Sequence, residues 1–309
     1  MAMDVKELMA KVGKIRILTN RLLDDQLSGD YHSTFKGQGV EFDEVRPYLV
    51  GDDVRTIDWN VTARTGTPYI KRYAEERELT VLFMVDVSGS QSYGSASATK
   101  AELSAEVTAL LALTALRNQD KVGLVLFSDR IVKYIPPRKG RNSVMRLARE
   151  VLATGEGAEG GTDLEAAIHF LNGVMSRKAV VFLVSDFMGA ARLGAAGSDS
   201  LARLLRATAR HHDLICVTVG DPAEKALPDV GLVELEDPET GALTLVDTSS
   251  ARVRRAFAAA AEAEQQARVA FLRKTGIEAM NLSTDSPYID EVRKIFKRRA
   301  HAHAGRGTR

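Results

Sequence analysis

Short apolar runs alternate with amphipathic stretches along most of the chain, and the regular alternation begins near residue 79. Leu79 to Val85 is almost continuously apolar, the pattern of a strand covered on both faces of a parallel sheet. Val122 to Phe127, Ala179 to Val184 and Leu214 to Val219 predict three further strands of this kind, and Ile131 to Ile135 an antiparallel neighbour of the second. Between them, Ala98 to Arg117, Ser143 to Leu152, Asp163 to Met175 and Leu201 to Arg210 read as helices. In the first of these, Leu103, Val107, Leu110, Leu111 and Thr114 share one side. The alternation predicts an α/β domain over 79–299 with a doubly wound, mostly parallel sheet. Near 229–247, Gly231 to Leu235 and Ala242 to Val246 flank Asp237-Pro238-Glu239-Thr240-Gly241 and predict an inserted β-hairpin. A long helix over Ser250 to Lys274, an edge strand over Ile277 to Leu282 and a helix over Asp290 to Arg299 complete the domain.

Residues 1–78 follow a different pattern. Val5, Leu8, Val12, Ile15, Leu18 and Leu22, interleaved with lysines and arginines, predict one amphipathic helix within Met1 to Leu27. Gly29 to Gly39 is polar and glycine-containing, a connecting segment. Gly39 to Tyr48, Val54 to Ala63 and Tyr69 to Tyr73 are read as three extended segments of a small β-rich module, separated by Gly51-Asp52-Asp53 and Thr65-Gly66-Thr67-Pro68. At the other end, residues 300–309 are small, polar and basic, and His301 to Arg309 is expected to be a disordered tail.

Composition narrows the functional classes. The 42 Lys and Arg against 41 Asp and Glu leave a formal charge of +1, which offers no broad electrostatic footprint for nucleic acid. The single cysteine, Cys216, excludes an internal disulfide and suits a reducing compartment. The first helix lacks the continuous apolar region of a signal peptide, and no uncharged apolar run is long enough to span a bilayer. These features lead to the expectation of a cytoplasmic protein without direct membrane insertion.

The chemistry concentrates after the first α/β strand, in Asp86-Val87-Ser88-Gly89-Ser90. Ligands of open α/β sheets bind outside the carboxyl ends of the strands, where this loop falls. One carboxylate and two hydroxyls on alternate residues are hard oxygen donors, suited to Mg²⁺ or Mn²⁺ and poorly suited to zinc. Gly160-Gly161-Thr162-Asp163 opens a later helix, and Ser185-Asp186-Phe187 ends a later strand, so three loops at one sheet edge are placed to converge on one ion. Taken singly, each piece also reads as a helix cap or a turn. A Ser88 nucleophile lacks the Gly-x-Ser-x-Gly elbow, none of the histidines His32, His169, His211, His212, His301 and His303 lies in a recognisable triad motif, and no Walker-type loop is present.

This pattern resembles the von Willebrand factor A domain, whose metal-ion-dependent adhesion site combines Asp-x-Ser-x-Ser with a later Thr and a later Asp. The resemblance implies Asp86, Ser88, Ser90, Thr162 and Asp186 as the metal site. Ser88 and Ser90 would bind the ion directly, and one coordination position would stay open for a partner's carboxylate. Gly37 to Phe42, Arg46-Pro47-Tyr48, Gly51 to Arg55, Ile57-Asp58-Trp59 and Ala63-Arg64 further resemble a bacterial family long catalogued as a domain of unknown function and associated with MoxR-type AAA+ ATPases. That family usually has Met after Asp-x-Ser-x-Ser, where this chain has Gln91. The resemblance implies a non-catalytic adaptor that acts with such an ATPase in assembling or activating client proteins, a client supplying an acidic residue to the metal. A magnesium-dependent hydrolase and a structural protein with a vestigial site are the alternatives. Asp52, Asp53, Arg55, Asp58 and Arg64 are expected to form an ion-pair network around Trp59, as a staple between module and domain or as a surface for the ATPase.

Overall fold

In a computed structural model, residues 5–23, 25–35, 40–75, 78–95, 98–155, 160–188, 190, 194–236 and 241–304 are described. The chain order is α1 (Val5–Leu22), α2 (Asp25–Phe35), β1 (Val40–Pro47), α3 (Trp59–Thr65), β2 (Tyr69–Glu75), β3 (Thr80–Asp86), α4 (Lys100–Arg117), β4 (Lys121–Phe127), β5 (Ile131–Arg138), α5 (Arg141–Gly155) and α6 (Leu164–Val174). It continues with β6 (Val180–Ser185), α7 (Gly194–His211), β7 (Asp213–Gly220), β8 (Leu232–Glu236), β9 (Leu243–Asp247), α8 (Ala251–Thr275), β10 (Glu278–Ser283) and α9 (Tyr288–Ala304).

The central sheet has the order β10-β7-β6-β3-β4-β5. All neighbours are parallel except β4 and β5. Alternate residues of β3 face opposite layers: Val81, Phe83 and Val85 pack with α1, α2, α4, α5 and α9, and Leu82 and Met84 with α6, α7 and α8. The expected doubly wound α/β fold is therefore present, with a covered core on each face. Near-continuous apolar strands were the correct signature because both faces of β3 and β6 are buried. The inserted hairpin is also present as β8 and β9, and residues 237–240 of its turn lie outside the described residues.

Four expectations need correction. The segment after the first helix is not a connector, because Asp25–Phe35 is a second helix. Leu27, Tyr31 and Phe35 lie on its inner side and are fully buried, with Phe35 packed edge-on to Phe182 of β6 and Phe296 of α9. Burial of large side chains at i, i+4 and i+8 outweighs the roughly 1 kcal/mol penalty of a helical glycine. The helical part of residues 1–78 thus packs into the α/β core, while β1 and β2 form a separate two-stranded antiparallel sheet.

Val54 to Ala63 is not extended. A 3-10 turn at Val54–Thr56 is followed by helix α3, because Asp53 accepts the Arg55 amide and Asp58 accepts the amides of Asn60 and Val61 at 2.9 and 3.2 Å. Aspartate capping determines the local structure here, despite the β-branched residues. Among the described residues no ion-pair network encloses Trp59, which is 69% exposed. Its expected members form local links: Arg55 pairs with Asp53 at 3.4 Å, Asp52 takes a two-pronged bond from Arg46, Asp53 and Asp58 are caps, and Arg64 donates to the Asn60 carbonyl. Finally, the basic tail is helical as far as Ala304, and residues 305–309 lie outside the described residues.

Candidate metal centre

Asp86 is the last residue of β3, and the carboxyl ends of β3 and β6 lie side by side because these strands pair directly. The chain leaves β3 through a turn tied to β4, where the Val87 amide donates to the Phe127 carbonyl at 2.8 Å. The Ser88 amide then donates to Asp86 Oδ1 at 2.9 Å, and a 3-10 turn at Gly89–Ser92 presents Ser90 and Gln91 to the interior. The Gly89 amide donates to the Gly160 carbonyl at 3.1 Å, which joins this loop to the one carrying Thr162.

All five expected residues come together. Ser88 Oγ and Ser90 Oγ are 3.2 Å apart, and Ser90 Oγ donates to Asp186 Oδ2 at 2.7 Å. Thr162 Oγ1 donates to Asp86 Oδ2 at 3.1 Å. Asp86, Ser88, Ser90 and Asp186 are buried, and Thr162 is half-buried. Beside Asp186, Phe187 is buried in a left-handed conformation at φ 56°, an unusual geometry for a bulky residue that turns the chain sharply away from the sheet. The Met188 amide donates back to Asp186 Oδ1 at 3.1 Å.

Four participants escaped sequence reasoning. Ser185 donates to Asp86 Oδ2 at 2.7 Å, and Gln91 Nε2 lies 3.4 Å from Asp186 Oδ2. Lys100 Nζ, fully buried, lies 2.9 Å from Asp186 Oδ2 and 2.5 Å from Glu224 Oε1. A faint signal existed for Lys100: it occupies the first turn of α4, where the positive helix terminus disfavours a cation. Glu224 also closes a capping box with Asp221.

The electrostatics separate the two aspartates. Burial, and then the charge of Asp186, push Asp86 up to about 6. Burial also raises Asp186, but the Lys100 ammonium and the hydrogen bonds outweigh it and hold Asp186 below the usual carboxylate range. Burial works against the Lys100 ammonium and is outweighed by Asp186 and Glu224, so its pKa is raised. Asp86 is thus a buried carboxylate whose named partners are an amide and two hydroxyls, a setting that favours a cation. The cluster of hard oxygens fits Mg²⁺ or Mn²⁺. Among the described residues, no group of three or more His, Cys, Asp or Glu forms an alternative centre.

Residues 44–267 match the family described as "Protein of unknown function DUF58". An uncharacterized protein of Mycobacterium tuberculosis (strain H37Rv) is 32% identical over 305 residues, covering 98% of this chain and 93% of its own. Among solved structures, the conserved hypothetical protein BatB from Bacteroides thetaiotaomicron aligns at 15% identity with a TM-score of 0.47, over 74% of this chain and 99% of its own. The VWA domain of SpRpn10 aligns at 10% identity with a TM-score of 0.32, over 69% of this chain and 93% of its own.

Proposed function

The chain belongs to the family described as protein of unknown function DUF58, and from that premise we propose that it is a non-catalytic, metal-dependent protein-binding adaptor. In this reading Mg²⁺ or Mn²⁺ is held by Ser88, Ser90 and Asp86, with Thr162 and Asp186 completing the donor set. The bound ion supplies a hard Lewis-acidic contact for a carboxylate on a client protein. The partner that drives the cycle is a MoxR-type AAA+ ATPase, and the setting is the cytoplasm. Among the described residues no helix is long and apolar enough to cross a membrane.

The observation that carries the reading is the convergence of five oxygen-bearing side chains, from three separate loops, at one sheet edge. A hydrolase would need a general base beside a metal-bound water. The buried histidine His212 is engaged elsewhere, accepting the Ala179 amide at the start of β6, at the opposite edge of the sheet. The test is binding of a neighbouring MoxR-type ATPase and candidate clients with Mg²⁺ and with EDTA, to wild type and to Ser88→Ala/Ser90→Ala. Loss of one complex on chelation, restoration by Mg²⁺ and the same loss in the double variant are expected. Equal binding in all conditions would eliminate metal-mediated recruitment.

A further inference from the structure

Among the described residues of this site, Lys100 is a charged group with neither an oxygen to offer a metal nor exposure to solvent. Its ammonium is buried at the first position of α4, between Asp186 and Glu224. The helix N-terminus repels a cation there, so the two carboxylates must hold it. Asp186 Oδ2 receives both Lys100 Nζ at 2.9 Å and Ser90 Oγ at 2.7 Å, so one oxygen atom links the ammonium to a candidate metal donor.

We propose that Lys100 is a built-in counter-cation that weakens dication binding at the Asp86–Ser88–Ser90 centre by neutralising Asp186 from behind. The proposal rests on the metal reading above. An ion seated on Ser90 meets a fixed positive charge across a single carboxylate, in surroundings closed to water, where like charges repel strongly. The lysine also commits the Asp186 oxygen it shares with Ser90, which leaves Asp86 as the carboxylate without a cationic partner among its named contacts. Glu224 moderates the effect, because its carboxylate draws the ammonium toward itself and away from Asp186. The two residues therefore act on the ion with opposite signs. Glu224 is placed to do this without being a donor itself, since its other oxygen accepts the Asp221 amide at 3.0 Å.

The test is direct titration of the full chain with Mn²⁺, followed by electron paramagnetic resonance, and with Mg²⁺ by calorimetry. Lys100→Gln is expected to tighten the Mn²⁺ dissociation constant by about tenfold or more, the equivalent of about 1.4 kcal/mol. Glu224→Gln, which keeps the capping acceptor, is expected to weaken it several-fold. A lysine that only supported the fold would not move the two affinities in opposite directions. If Lys100→Gln fails to fold, Glu224→Gln decides: weaker binding supports the proposal, and unchanged or tighter binding overturns it. If wild type and both variants bind Mn²⁺ equally, the role of Lys100 is wrong and the metal centre stands. If none binds either ion, both the metal reading and the role of Lys100 fall.

Discussion

Ser90 and Asp186, brought together from the ends of β3 and β6, share a 2.7 Å hydrogen bond in the interior of the candidate site. Either residue alone would be an ordinary turn residue. Joined, they form part of a cluster of oxygens, in which Ser90 also meets Ser88 and Thr162 bonds to Asp86.

In the proposed reading, a metal held by that cluster would stabilise the folded chain by mass action. Free Mg²⁺ at ten times its dissociation constant adds about 1.4 kcal/mol. For a chain of this length the melting temperature rises by about 1 to 3 °C. Asp86→Ala is expected to remain folded and to lose that rise in differential scanning calorimetry. The same rise in the variant would place the ion elsewhere.

Asp120 supplies a pH dependence of definite sign. Its carboxylate accepts the Tyr31 hydroxyl at 2.8 Å and the Leu79 amide at 2.9 Å, yet burial pushes it from 3.8 up to about 6. The folded state therefore holds this proton through a window in which the unfolded chain has released it. The contribution of Asp120 is fully present below about pH 4 and falls as pH rises toward 6, by about 2 to 3 kcal/mol. Asp120→Asn removes that slope while keeping an acceptor for Tyr31. Urea denaturation from pH 4 to 7 should show the variant gaining on wild type as pH rises; parallel profiles would rule out Asp120 as the source.

Gly123 in β4 is a packing constraint. A Cβ there would lie 2.9 Å from the Ile135 carbonyl oxygen and the Pro137 nitrogen of β5, and 3.0 Å from Leu82. Backbone cannot move aside as a flexible side chain can, so Gly123→Ala is expected to cost about 1 to 3 kcal/mol. The measurement is a lower urea midpoint at unchanged m-value.

Asp58 is predicted to act as a cap. Asp58→Ala removes the acceptor for the Asn60 and Val61 amides and should cost about 0.5 to 2 kcal/mol, whereas Asp58→Asn should retain most of it. Trp59, the adjacent and only tryptophan, reports the change locally by fluorescence. Equal losses in both variants would point to the charge of Asp58 and away from capping.

Much of this architecture is legible in the sequence. The apolar runs at Leu79 to Val85 and Ala179 to Val184 named β3 and β6, because a strand buried on two faces has no polar side to present. Asp86, Ser88, Ser90, Thr162 and Asp186 were visible as candidate donors because each stands at the end of a recognisable element, and strand ends in an open α/β sheet face one edge. Helix α2 was hidden: Ser28, Gly29, Asp30, His32 and Ser33 dominate its composition, and the three core side chains among them become informative only against Phe182 and Phe296.

What the sequence determined by itself was local: the periods of the buried strands and of α4, and the order of the candidate donors along three loops. The tertiary structure alone decided which charges are buried together. Lys100 and Glu224 stand 124 residues apart, and the one local sign, a cation in the first turn of α4, does not name its partners. Their meeting over Asp186 follows from the sheet order, which places β6 between β3 and β7 and so brings α4 and the turn after β7 to the same edge. Periodicity acts within a few residues and can be read from neighbours. Pairing of buried charges depends on long-range topology, and no local pattern encodes it.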